Sequence, residues 1–200
     1  MRKKILHLSH TDIIYDSRIL KEISSLSETK LFSIFSLGIS NRNIFSAKKI
    51  NSFHKNYSVN LITKNFRISR NIKYIFNFIE FSFYIIFYGI KIRPSLIHCH
   101  DTLALLPSTI LKLLIGSKLI YDAHELESNK NMQNIFLSKT TFFIEKVCWK
   151  HINIFISVSD KIINWYKKSF GFKKSISILN TPIINKYKSK IIDKNNIRRI

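Results

Sequence analysis

The chain has 200 residues, the length of one ordinary domain, and its 46% hydrophobic and 22% charged content with only 4 Gly and 3 Pro excludes collagen-like and low-complexity classes. Its 33 Lys and Arg against 12 Asp and Glu give a formal charge of +21, which suits anionic lipid, phosphorylated substrates or nucleic acid as partners and equally suits a merely solvated surface. No helix-turn-helix, zinc-finger or RNA-binding signature accompanies that charge, so nucleic acid is not an expected partner.

Cys99 and Cys148 are isolated, without the spacing of a zinc site, a redox motif or a disulfide framework. The basic start, Met1 to Lys4, is not followed by an apolar stretch of signal-peptide length. A reduced, cytoplasmic compartment is therefore expected, peripheral on the inner face of the cell membrane if the basic surface is functional.

Lys4 to Ser9 reads as a buried first strand, ending in the polar cluster Ser9, His10, Thr11 and Asp12. Asp16 and Ser17 stand ahead of Ile19, Leu20, Ile23 and Leu26, whose spacing predicts a helix with a capping residue in front. Leu31 to Leu37 is strand-like and closes at Gly38; the polar stretch Ile39 to Asn56 reads as loop, with a third strand near Val59 to Thr63. Ile72 to Ile92 is rich in Ile, Phe and Tyr. A bilayer span needs about 20 consecutive apolar residues, but Asn77, Glu80 and Ser82 interrupt this run, and Arg70, Lys73, Lys91 and Arg93 flank it. It is expected as a helix buried against a sheet, with an interfacial membrane helix as the alternative.

Pro94 ends that helix. Leu96 to Cys99 forms a short strand ending at His100 and Asp101, and Leu103 to Ile115 a helix stopped at Gly116. Lys118 to Tyr121 is the next strand, ending at Asp122, Ala123, His124 and Glu125. A helix from about Met132 to His151, a strand over Ile154 to Val158, a helix opened by Ser159 and Asp160 and stopped at Gly171, and a strand over Ile176 to Leu179 complete the pattern before Asn180, Thr181 and Pro182. Strands alternating with helices predict an α/β, Rossmann-like doubly wound parallel sheet with helices on both faces over residues 1–182, with 183–200 as a basic tail or truncated inter-domain linker. In such sheets ligands bind outside the carboxyl ends of the strands, where the polar clusters fall.

Asp16-Ser17-Arg18-Ile19 with Glu22, Ile97-His98-Cys99-His100-Asp101, Ile120-Tyr121-Asp122-Ala123-His124-Glu125-Leu126, Ser157-Val158-Ser159 and Asn180-Thr181-Pro182 together resemble, in order and spacing, the amino-terminal, acceptor-side domain of family 4 glycosyltransferases of GT-B architecture. The resemblance covers almost the whole chain. It implies that one Rossmann-like domain presents a glycan or lipid-linked acceptor while a second domain grips the nucleotide-sugar donor, without a metal and without a cofactor bound by this chain. It implies His124 as the catalytic residue near the transferred sugar, with His100, Asp101 and Glu125 binding substrate beside it and Asp16 and Arg18 in the loop that meets acceptor or donor phosphate. Breaking a sugar–phosphate bond leaves negative charge on the departing diphosphate, which such groups can serve. Two features depart from the family: Ser9 to Tyr15 contains no glycine, and the carboxylate-rich donor motif has no counterpart. A donor-binding domain or subunit is accordingly expected as a partner.

Other readings stay open. Asp16 can simply cap a helix, Arg18 and Glu22 can form a surface ion pair at i, i+4, Asp122 and His124 can hydrogen-bond loop backbone, Ser159 suits an N-cap, and Asn180 suits the turn before Pro182. A non-catalytic remnant or an acceptor-binding, membrane-anchoring subunit is a second possibility for the whole chain. His98 and His100, alternating on one strand face with Asp101 nearby, suggest a metal-dependent hydrolase as a third.

Overall fold

The computed structural model describes residues 2–126 and 135–181, with 135–137 by backbone alone. In chain order the elements are β1 (Lys3–Leu8), α1 (Ser17–Glu28), β2 (Phe32–Ile39), β3 (Ser46–Lys49), β4 (His54–Val59), α2 (Arg70–Ile92), β5 (Leu96–Cys99), α3 (Thr102–Ile115), β6 (Lys118–Ala123), α4 (Ile135–Trp149), β7 (Ile154–Ser157), α5 (Asp160–Phe170) and β8 (Ser175–Ser177), with single turns of 3-10 helix at Ile13–Tyr15 and Ile62–Asn65. They form an eight-stranded sheet in the order β3-β4-β2-β1-β5-β6-β7-β8. Every pairing is parallel except β3 with β4. The predicted doubly wound α/β class is what the chain adopts.

Alternation along the strands divides the sheet into two unlike faces. Leu6, Leu8, Leu37, Ile97, Cys99, Leu119, Tyr121 and Phe155 are buried in one cluster with Phe81 and Ile85 of α2, Leu105 and Leu111 of α3, Trp149 of α4 and Tyr166 of α5. Each large side chain buried there stabilises by roughly 1.5–3 kcal/mol relative to exposure. The opposite face carries a small apolar cluster, Ile19 and Ile23 of α1 with Ile13 and Ile34. Its remaining inward positions are largely polar: His7, Ser36, His54, Asn56, His98 and Asp122 are all buried.

That second face explains the misplaced third strand. The strand starts at His54 and ends at Val59, and Thr63 lies in the following 3-10 turn. Its inward residues His54, Asn56 and Ser58 are polar, so the run does not read as apolar alternation. Ser46–Lys49, within the stretch expected to be loop, forms an antiparallel edge strand instead, and its two lysines suit an edge open to solvent.

The long helix also differs from expectation. Only one stripe of α2, Phe81, Ile85, Gly89 and Ile92, is buried, against α3 and the β1 region. Glu80 and Asn77, the polar interruptions, serve the neighbouring turn: Glu80 accepts hydrogen bonds from the backbone N–H groups of Ile62 and Thr63, and the Thr63 hydroxyl contacts both side chains. The helix ends at Ile92 because Arg93 turns left-handed at φ 51° ahead of Pro94. Further on, Ser159 caps α5 through the Ile162 N–H, as its position predicted. The expected start of α4 near Met132, Pro182 and the tail 183–200 lie outside the described residues.

Candidate functional site

The strand order reverses between β1 and β5, whose crossovers leave in opposite directions, so the loops at their carboxyl ends flank a crevice. One loop is Ser9 to Asp12 and the other begins at His100. Asp101 joins them: it caps α3 by accepting from the Ala104 N–H at 2.8 Å, and it accepts from the His10 backbone N–H at 2.7 Å with the His10 imidazole 3.0 Å away. Burial pushes Asp101 upward, but the His10 charge and these hydrogen bonds outweigh it and hold the carboxyl at about 2. The loop's other end is fixed by Asp12, whose carboxylate accepts from the Asn41 N–H and the Ser58 hydroxyl.

A glycine is needed close by, though in a different place from the family pattern. A Cβ on Gly38, at the end of β2, would stand 2.2 Å from the Thr11 carbonyl oxygen. The bare backbone lets the Ile39 N–H reach that carbonyl at 3.1 Å. The loop itself needs no glycine because its neighbour supplies the room.

Beneath the crevice, on the α1 side of the sheet, seven polar side chains converge. His7 and His98 are register partners on β1 and β5. Two residues further on, just past the end of β5, the His100 ring stacks 4.2 Å from that of His98, and its Nε2 lies 2.9 Å from His7 Nδ1. Asp122 comes from β6, His124 from the residue just past its end and Glu22 from α1, and Asp122 Oδ2 lies 3.6 Å from His100 Nδ1, 3.9 Å from His98 Nε2 and 3.5 Å from His124 Nε2. Arg18 enters the same nest from α1, donating from one nitrogen to both Asp122 oxygens at 2.7 and 3.0 Å, with its Nε 3.4 Å from Glu22.

Burial, then the charges of neighbouring histidines, holds His7 and His98 well below the ordinary imidazole value, so both are neutral. Burial also raises Glu22, aided by Asp122 and opposed by His100 and Arg18. Asp122 goes the other way: burial would raise it, but His100, His124 and His98 pull it below the usual carboxylate range. The nest thus holds an ionised carboxylate beneath a partly exposed imidazole, with His124 at 26% side-chain exposure.

Among solved structures, the chain superposes on sucrose-phosphate synthase from Thermosynechococcus elongatus with a TM-score of 0.71 at 12% identity, covering 89% of this chain and 48% of that one. The fold is that of one half of a GT-B glycosyltransferase. HepE of Anabaena, solved with UDP and glucose, matches with a TM-score of 0.57 at 11% identity over 90% of this chain and 45% of that one. MurG of Acinetobacter baumannii matches with a TM-score of 0.55 at 11% identity over 90% and 46%. The chain therefore spans about half the length of each of these three structures. No protein-family model and no curated protein sequence matches.

Within this half, the residues singled out from sequence fall into two groups. His100 and His124 meet, with ring centroids 5.7 Å apart, and Glu125 is exposed just beyond β6. Asp16 caps α1 by accepting from the Arg18 and Ile19 N–H groups. Arg18 is buried and committed to Asp122, so its pairing with Glu22 is not a surface one. Asp101 faces His10 and α3, which removes it from the metal set that sequence had grouped with His98 and His100. Asn180 accepts from Lys21 of α1 at 2.9 Å.

Sequence reading passed over His7 and His10 and gave Asp122 only a loop role. The available signal was alternation: His7, the pair His98 and His100, and the pair Asp122 and His124 each point to one face of their strands, and a doubly wound order puts those strands side by side. A second polar chain on this face was also missed. His54 Nε2 lies 2.7 Å from the Ser36 hydroxyl, which donates to Asn56, which donates to Ser58, which donates to Asp12.

Proposed function

We propose that this chain is the acceptor-side half of a sugar-nucleotide-dependent glycosyltransferase of the family 4 type, acting on a cell-surface glycan or its lipid-linked precursor. The observation that carries the reading is the meeting of His100 and His124 over the Arg18–Asp122 pair at the carboxyl ends of the central strands. In this reading a second Rossmann-like domain or a separate subunit holds the nucleotide sugar against the crevice. As the sugar–phosphate bond breaks, the diphosphate leaves with the bonding electron pair, and the acceptor hydroxyl oxygen bonds to the anomeric carbon while its proton passes to the departing diphosphate.

His124 is the group that touches the sugar. Asp122 below it stabilises positive charge on the imidazole and fixes its direction, and Arg18 holds Asp122 in place, so Arg18 acts as a positioning residue rather than a phosphate ligand. Asp101 positions His10 at the rim, and Asp16 holds the first turn of α1.

The test joins or co-expresses the chain with a matching donor domain and measures release of nucleoside diphosphate from nucleotide sugars in the presence of lipid-linked acceptors. His124→Ala is expected to lower turnover at least 100-fold, the usual scale for a positioned proton-transfer or hydroxyl-binding group. Undiminished turnover would remove His124 from the site.

The same reading sets the domain against the anionic inner face of the membrane. α2, α3 and α4 form one layer, and its outer surface bears exposed Ile75, Ile79, Phe83 and Phe87 of α2, Leu113 and Leu114 of α3 and Phe143 of α4. Exposed Arg70, Lys91 and Arg93 bracket α2. The helix is long and apolar enough to cross a bilayer by length and composition. Its buried stripe and the Glu80 contacts tie it to the domain, which favours lying in the headgroup region over spanning.

A further inference from the structure

The side of the sheet that carries α1 is sparsely covered. Buried residues of α2, α3, α4 and α5 all join the cluster on the other side, so among the described residues α1 is the one helix that packs here. A cavity of about 520 Å³ is left between α1, the strands β1, β5, β6 and β7, and the residues that follow β8. That volume suits a small molecule. Ile5, Leu96, Ile120 and Ile156 line it from the sheet, and Leu26 and Phe32 stand at one end. Lys21 donates to the Asn180 side chain at 2.9 Å and to the Thr181 carbonyl at 2.8 Å, tying the chain after β8 to α1 along one side.

The other end, toward the crevice, is polar. Arg18, Glu22 and His98 line it there, because α1 starts and β5 finishes at that end of the sheet. Arg18 Nε and Nη1, Glu22 Oε2 and His98 Nε2 are all buried without a hydrogen-bond partner, and the Arg18 and His98 side chains are only 8% and 9% exposed. Unpartnered donors and acceptors therefore stand side by side. A charged head group does not suit them. An anion would join the carboxylates of Asp122 and Glu22, which already stand 2.7 and 3.4 Å from Arg18, and a cation would face the guanidinium. A hydroxyl meets both needs: its oxygen accepts from an Arg18 N–H, and its proton goes to Glu22.

We propose that this cavity binds an uncharged amphiphile, its hydroxyl head at Arg18 and Glu22 and its aliphatic body along Ile5, Leu96, Ile120 and Ile156. The apolar body supplies the affinity and the polar end fixes the orientation. The inference concerns the α1 face alone and stands whether or not the chain transfers sugar.

The experiment titrates the full chain by calorimetry with three probes of equal chain length, 1-octanol, octanoate and octylammonium. One equivalent of octanol should bind saturably, and the two ions about tenfold or more weakly, because burying an unpaired charge is costly. Ser25 lines the cavity and is exposed, whereas exposed Ser24 beside it does not line it. Ser25→Trp should thus weaken octanol binding by about tenfold or more through lost space while Ser24→Trp leaves it unchanged. Glu22→Leu should narrow the preference for octanol over octylammonium no further than it weakens octanol itself, by about three- to tenfold. Failure of folded wild-type protein to bind octanol saturably, equal or tighter binding of either ion, or equal binding in the Ser24→Trp and Ser25→Trp variants would overturn the proposal.

Discussion

Arg18 and Asp122, 104 residues apart in the chain, meet at 2.7 Å in a buried ion pair that links α1 to the centre of the sheet. Removing one partner leaves the other charged and out of water, which typically costs about 3–5 kcal/mol, whereas replacing both with apolar groups of similar size is often close to neutral. Urea denaturation should therefore show Arg18→Met strongly destabilised and Arg18→Met/Asp122→Leu largely recovered. A single-variant loss below about 1 kcal/mol would reduce the pair to the worth of a surface contact.

Gly38 is required for space rather than for backbone conformation. Gly38→Ala sets a methyl group 2.2 Å from the Thr11 carbonyl oxygen, and relieving that clash means moving the Ser9–Asp12 loop, at an expected cost of about 1–3 kcal/mol. Gly116→Ala provides the contrast. Gly116 has φ +72° with nothing within 4 Å, so its loss should be confined to left-handed strain of about 1 kcal/mol. Thermal denaturation of the two variants should rank them in that order, and equal losses would count against a steric role for Gly38.

His54 makes stability depend on acidity. Burial lowers it from 6.5 to about 4, so between those values the unfolded chain binds the proton and the folded chain does not. Stability is fully present above about pH 6.5 and falls as the pH drops toward 4. His7 and His98, lowered likewise, add to the same slope. A plot of Tm against pH should decline across this window and be shallower in His54→Gln; an unchanged slope would mean that folding does not shift the His54 pKa.

The membrane reading gives a separate prediction. Phe83→Ser/Phe87→Ser and, independently, Lys91→Glu/Arg93→Glu should each reduce co-sedimentation with vesicles rich in phosphatidylglycerol by at least tenfold, while the far-ultraviolet spectrum stays unchanged because these side chains are exposed. Equal binding of the wild type to neutral and anionic vesicles would show that charge plays no part.

The order of strands and helices was legible because the core-facing strands are short apolar runs bounded by turn residues, as at Leu96–Cys99 and Lys118–Ala123. β4 was not, since its inward positions are filled by His54, Asn56 and Ser58, which satisfy one another and so escape the apolar rule. For α2, length and composition revealed the helix but not its burial, because apolar residues run around its whole circumference and only packing selects the Phe81 stripe. The candidate site was half legible. His100 and His124 stood out at strand ends, but the partnership of Arg18 with Asp122 joins distant elements, and no local pattern encodes it.

The hydrogen-bonded series from His54 through Ser36, Asn56 and Ser58 to Asp12 has a consequence for how the sheet assembles. Side chains alternate between faces, so a slip of one residue between β2 and β4 would swing His54, Asn56 and Ser58 into the apolar cluster and expel Tyr57 and Val59 from it. Every misalignment by an odd number of residues would thus bury several unpaired polar groups at once, and only the native alignment lets the series close on Asp12. The polar face acts as a proofreader, rejecting wrong pairings that hydrophobic contact alone would tolerate.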